Sequence, residues 1–149
     1  MSEIIVKKYR YGIYESLLVI NLMLIFFTRP INFLPNSPIF AILGFILVLI
    51  AAIVDVYWEI FWYKSRSKRL ITNGIYKYIR HPFMLVLILA SFGLAISFNY
   101  LQSLSMAIIS TFIIYVGAKK EEAELVKNYG SKYKEYMKKV RYRFIPKII

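Results

Sequence analysis

The sequence predicts an all-α polytopic membrane protein with four transmembrane helices, the last two a tight antiparallel hairpin. A cytoplasmic amphipathic helix follows at the C-terminus. Three observations carry this prediction. The 149 residues are 59% hydrophobic, and the apolar residues are too many and too blocky for a water-soluble domain. They gather in four runs close to membrane length, separated by short polar stretches. The charge is also arranged: nineteen of the twenty Lys and Arg lie in the N-terminus, the 64–80 connector and the tail after residue 118. Only Arg29 lies on the opposite side, so the positive-inside rule puts both termini in the cytoplasm.

Residues 1–11 are polar and basic. The first span covers about residues 12–28 and lacks the small-x-small cleavage site of a signal peptide. Asn32 to Pro38, with Pro35 and Pro38, reads as an external loop. The second span covers about 39–63, with Trp58, Trp62 and Tyr63 near its cytoplasmic end, where amphipathic aromatics favour the interface. The third and fourth spans, about 82–98 and 101–118, are separated only by Asn99 and Tyr100, which forces a hairpin. At ~1.5 Å per residue its arms are about 24–27 Å long, slightly under the usual hydrocarbon thickness. Gly130 reads as a helix stop. Around it, Tyr129, Tyr133, Tyr136, Met137 and Val140 recur at three- and four-residue spacings among lysines. That is an amphipathic helix, which either lies on the bilayer or folds back as a lid over the hairpin mouth. With no internal repeat, the chain reads as one membrane domain, 1–149.

Composition excludes several functions. There is no cysteine, so thiol catalysis, disulfides and thiolate metal sites are out, and no metal is expected. The net charge of +12 points to anionic lipid rather than nucleic acid, because no nucleic-acid-binding motif accompanies it.

The chemistry-bearing residues cluster at the hairpin mouth. Arg80, His81 (the chain's only histidine) and Pro82 stand where the third span begins. Proline suits the first helical turn, and Arg80 and His81 would then lie at the positive N-terminal end, which favours an anionic group. The hairpin returns Lys119, Lys120, Glu121 and Glu122 to the same level. Neighbours on a helix point about 100° apart, so at most one glutamate faces a given ligand atom. The plainer reading is that mixed charges past a membrane helix form a solvated face, and that a lone histidine at a helix start is structural. Asp55 and Glu59 share one face of the second span. Either they ion-pair with Arg80 or connector lysines, the simpler expectation, or they line a substrate entrance.

Two motifs then resemble a known family. Leu70-x-Thr72-x-Gly74-x-Tyr76-x-x-x-Arg80-His81-Pro82 is similar to a signature of the integral-membrane isoprenylcysteine carboxyl methyltransferase and phospholipid methyltransferase family. So is Glu121-Glu122-x-x-Leu125-x-x-x-Tyr129-Gly130-x-x-Tyr133-x-x-Tyr136, followed by Arg143-x-Ile145-Pro146. The resemblance covers about residues 68–146, in order and at the right spacing. It implies S-adenosylmethionine bound by Tyr76, Arg80, His81, Pro82, Glu121 and Glu122, with Arg80 and Glu122 as the catalytic pair. It also matches Gly93 to a glycine that permits close approach of a helix or ligand. The implied acceptor is a lipid-like or prenylated small molecule, a prenylcysteine carboxylate or a phospholipid amine, reaching the site from the bilayer. Two positions depart from the pattern: Met84 and Val86 stand where relatives have Tyr and Gly. They favour a competing reading, a catalytically inactive membrane scaffold of the same fold. A nicotinamide-dependent membrane reductase is a third reading, since sterol reductases share a similar hairpin and tail, but the chain is short for one. The sequence leaves open the oligomeric state and which of Glu121 and Glu122 contacts the cofactor.

Overall fold

The computed structural model describes residues 2–65 and 70–145, so part of the basic connector and Pro146 lie outside the described residues. The elements are α1 (Ser2–Phe27), α2 (Pro38–Ser65), a 3-10 turn (Gly74–Lys77), α3 (Pro82–Phe98), α4 (Leu101–Tyr129) and α5 (Ser131–Lys139), with no strand among the described residues.

Two helices are long and apolar enough to cross a membrane, Pro38–Lys64 in α2 and Leu101–Tyr129 in α4. Gly12–Phe27 and Pro82–Phe98 are apolar but shorter. Only 11% of the apolar window of α2 is buried, so its hydrophobic surface faces outward instead of filling a core. Phe45, Leu49, Ile53 and Ile60 stand exposed along it.

Two helices outrun their apolar runs. α1 begins at Ser2, well before Gly12, and α4 continues past Ala118 to Tyr129. Lys, Glu, Ala and Leu are good helix formers, so nothing stops either helix at the point where hydrophobicity ends. The stop for α4 comes at Gly130, whose φ of 57° lies in the left-handed region that glycine adopts freely. The glutamate pair therefore rides on the same rigid helix as the fourth apolar run.

Helix packing rests on small residues and on internally satisfied polar groups. α2 and α3 share the most extensive interface. There a Cβ on Gly93 would stand 2.8 Å from Val48 Cγ2 and 2.9 Å from the Gly44 carbonyl oxygen. Bare backbone on both sides lets the two axes approach closely. Asn21 ties α1 to the hairpin: its Nδ2 donates to the Ser91 carbonyl at 3.4 Å, and its Oδ1 accepts from Ser103 Oγ at 2.6 Å. Away from water such groups must satisfy one another. Tyr14 of α1 packs its hydroxyl against Gly117, a place that no Cβ could share.

Asn99 turns the chain from α3 into α4 with φ 56°, a left-handed conformation its short polar side chain tolerates. Its Oδ1 accepts from the amides of Phe33 (3.1 Å) and Leu34 (2.7 Å), and its Nδ2 donates to the Leu34 carbonyl at 2.9 Å. The α1–α2 loop is thereby pinned to this turn. At the other end α5 spends its apolar face on the protein. Tyr133, Tyr136 and Val140 are buried against Leu70, Leu125, Val126, Tyr129 and Met137. Of the two placements open to the amphipathic helix, this is the folded-back one.

Replacing Gly93 by Leu is predicted to cost about 1–3 kcal/mol through overpacking, read as a lower thermal midpoint in detergent. Gly12, where an added Cβ meets nothing within 4 Å, is the control. Gly12→Ala leaves the midpoint unchanged or raised.

Candidate functional site

The site forms where the 3-10 turn enters α3 and α4 returns. Gly74 starts the turn with φ 62°, and the Phe61 ring occupies the place of its missing Cβ, so this position accepts only glycine without strain. Pro82 opens α3 and is fully buried. Arg80 and His81 are consequently fixed just ahead of a helix N-terminus, 7% and 6% exposed.

Glu122 is the hub. It is 4% exposed, so the solvated-face reading of this charge run fails at this residue, although Lys119 and Lys120 are exposed. Arg80 Nε donates to its Oε1 at 2.7 Å, and His81 Nε2 lies 3.3 Å from the same oxygen. Arg143 Nε lies 3.1 Å from each oxygen, with Nη2 3.0 Å from Oε2. Burial alone would push the Glu122 carboxyl up. Hydrogen bonds from His81, Arg143 and Arg80, with the charge of Arg80, outweigh it and hold the pKa down to about 2.

The same arginine fastens the tail. Arg80 Nη1 donates to the carbonyls of Val140 (2.6 Å) and Arg141 (2.8 Å). The backbone amides of Arg80 and His81 donate to the carbonyls of Tyr142 (3.0 Å) and Arg143 (2.9 Å). Residues 140–143 thus cross the start of α3 as a strap. Phe144 anchors it in the apolar core beside Tyr14, Trp58, Phe83, Met84, Leu87, Ile114 and Ala118. Arg143 also lies over the Tyr115 ring, 5.6 Å from its centroid.

Glu121 is placed differently. Its Oε2 is 3.9 Å from His81 Nδ1, and the carboxylate makes no hydrogen bond among the described residues. It is the member of the pair left available to a ligand. Tyr76 stands nearby, its hydroxyl accepting from Trp58 Nε1 at 2.9 Å and its carbonyl accepting from Tyr136 Oη at 2.8 Å. Burial, with the charge of Glu121 adding and the Trp58 hydrogen bond opposing, raises the Tyr76 hydroxyl to about 12, so it stays protonated.

Six residues singled out from the sequence are therefore gathered here: Tyr76, Arg80, His81, Pro82, Glu121 and Glu122. Asp55 and Glu59 are not. The expected pairing of Arg80 with them does not occur, because Glu122 and the strap carbonyls take its guanidinium. Asp55 Oδ1 is buried without a hydrogen-bond partner, and Glu59 is exposed. The structure adds Trp58, Arg143 and Phe144 to this cluster and its surroundings. Arg143 stands in the second sequence motif, whereas Trp58 reads from the sequence only as an interface aromatic and Phe144 carries no signal there.

Fold and site together define an all-helical protein with two membrane-length apolar helices, α2 and α4, and a buried polar cluster where the shorter α3 begins beside α4. The chain belongs to the phospholipid methyltransferase family, whose sequence profile matches residues 37–132, well over half of its length. A search among curated proteins returned no match. The matched region contains the six gathered residues and ends ahead of the strap.

The Glu122 cluster has a predicted acid signature. Its carboxylate is lowered in the fold, so its contribution is complete above the unfolded value of 4.5 and is lost as pH falls toward 2. The thermal midpoint in detergent therefore drops across that window. In Glu122→Gln the drop flattens, and at neutral pH this variant is about 3–5 kcal/mol less stable, because two guanidinium groups lose their buried partner.

Proposed function

We propose that this chain is a membrane-embedded S-adenosylmethionine-dependent methyltransferase acting on a lipid-like acceptor at the cytoplasmic face. The observation that carries the reading is the convergence of Arg80, His81 and Pro82 with Glu121 and Glu122, in a chain of this family. In this reading all four apolar helices cross the bilayer, the two shorter ones by local thinning, and both termini are cytoplasmic. The site then opens at the level where bilayer meets cytosol, within reach of an amphiphile's polar head.

The donor set fits the cofactor. S-adenosylmethionine supplies an electrophilic methyl group on a sulfonium, and it also carries an ammonium, a carboxylate and a ribose diol. Glu121 has a carboxylate with no hydrogen bond of its own, suited to the ammonium or ribose. His81 and the N-terminus of α3 suit the carboxylate or the adenine. Glu122, Arg80 and Arg143 act differently from the pair implied by resemblance. Their hydrogen-bonding groups are turned toward one another, so Arg80 and Glu122 serve as positioning residues that hold His81 and the strap in place. Methyl transfer to a carboxylate needs no base, whereas an amine must arrive unprotonated, so positioning and exclusion of water supply most of the gain. The acceptor, a prenylcysteine carboxylate or a phospholipid amine, enters sideways between α2 and the hairpin. The buried, unpartnered Asp55 Oδ1 supports a polar lining there, with Glu59 one turn on.

The inactive-scaffold reading has one observation in its favour. Met84 and Val86 are buried at 1% and 5% exposure, with Met84 filling the core next to Phe144. The test is calorimetric titration of detergent-solubilised protein with S-adenosylhomocysteine, alongside reduced nicotinamide. Saturable binding of the first alone is expected, weakened at least about tenfold in Glu121→Gln, equivalent to one charge-assisted hydrogen bond, with the thermal midpoint unchanged. Absence of binding to folded protein would establish the scaffold, and nicotinamide binding alone the reductase.

A further inference from the structure

A second polar feature lies on the outer side of the tail. The 3-10 turn and α5 enclose a cleft of about 390 Å³, lined by Thr72, Lys77, Lys132, Glu135, Tyr136, Lys139 and Val140. Three lysines face one glutamate there. All four are exposed, and none has an ion-pair partner among the described residues. Lys132 and Lys139 stand two helical turns apart on α5, hence on one face, and Lys77 reaches the cleft from the other wall. The cleft has the charge and the walls for a phosphate group.

Its surroundings say which phosphate. Lys77 adjoins Tyr78, which is 68% exposed, and Tyr63 near the end of α2 is 64% exposed. Exposed tyrosines flanking apolar helices mark the headgroup layer. α5 buries Tyr133 and Tyr136 inward, which leaves its lysines to face out. Tyr136, which lines the cleft, donates to the Tyr76 carbonyl, and Val140, also lining it, has its carbonyl held by Arg80. A ligand here touches the motif-bearing turn and the tail at once.

We propose that this cleft binds the phosphate of an anionic phospholipid, and that the bound lipid fastens α5 and its strap over the candidate site. The proposal rests on the membrane embedding described above and is independent of methyl transfer. Lysines held at an anionic surface each contribute roughly a fivefold gain in affinity, so three make a site that competes with bulk lipid.

The test uses full-length protein in phosphatidylcholine nanodiscs with and without phosphatidylglycerol. The readouts are retained phosphatidylglycerol by native mass spectrometry and protease protection of the tail. Phosphatidylglycerol is expected to be retained and to protect the tail. Lys77→Gln/Lys132→Gln/Lys139→Gln should lower retention by at least about tenfold and abolish the protection. The control, Lys120→Gln/Lys127→Gln/Lys134→Gln, removes the same charge from exposed positions outside the cleft and should retain both. Equal losses in the two variants would reduce the effect to diffuse attraction and overturn the site. Equal protection by inorganic phosphate in pure phosphatidylcholine would overturn a lipid occupant. Failure of the folded protein to enter nanodiscs would overturn the embedding itself.

Discussion

A single carboxylate, Glu122, decides how the end of this molecule where α3 begins beside α4 is built. It lies at 4% exposure and is met by two guanidinium groups and an imidazole from two parts of the chain, Arg80 with His81 just ahead of α3 and Arg143 in the strap. Such a cluster is poor evidence for stability in itself, since desolvating the charges costs about what their attraction returns. Its value is in specification. Arg80 can satisfy its donors only if the strap carbonyls are where they are, and Arg143 can reach Glu122 only if the strap crosses α3. One buried charge thereby fixes the register of the tail against the hairpin.

That arrangement changes how the acidic pair is understood. Glu121 and Glu122 are neighbours, and helical geometry sends them to different places. One is consumed in holding the site together and the other is left facing His81 with spare acceptors. Loss of function on changing Glu122 would therefore say little about chemistry, because the positions of the strap, Arg80 and His81 go with it. Glu121 is the more informative residue, since it makes no hydrogen bond that the fold depends on. The strap lies beyond the stretch matched by the family profile, although its Arg143 stands in the second sequence motif.

The rest of the bundle is organised by what an apolar environment tolerates. Asn21 is paired with Ser103 and the Ser91 carbonyl, and Asn99 with freed backbone of the α1–α2 loop. Gly44 and Gly93 stand where the backbones of α2 and α3 nearly touch. Four buried side-chain oxygens among the described residues have no hydrogen-bond partner: those of Ser97, Gln102 and Ser110, and Oδ1 of Asp55.

The sequence by itself determined the all-helical class, the positions of the apolar runs, the turn at Asn99, the stop at Gly130 and the meeting of Arg80 and His81 with the glutamate pair. These follow from local rules: hydrophobic block length, the φ preferences of Gly, Asn and Pro, and equal rise along two arms of a hairpin. Where the helices really end was less legible, because helix propensity outlasts hydrophobicity in Lys- and Glu-rich stretches. Only the tertiary structure decided that Arg80 pairs with Glu122 and not with Asp55, and that Gly44 is the partner of Gly93. The same holds for Trp58 reaching Tyr76 and Phe144 plugging the core. Each of these joins residues far apart in the chain, and the choice among several chemically adequate partners is made by packing. No spacing in a linear sequence records it.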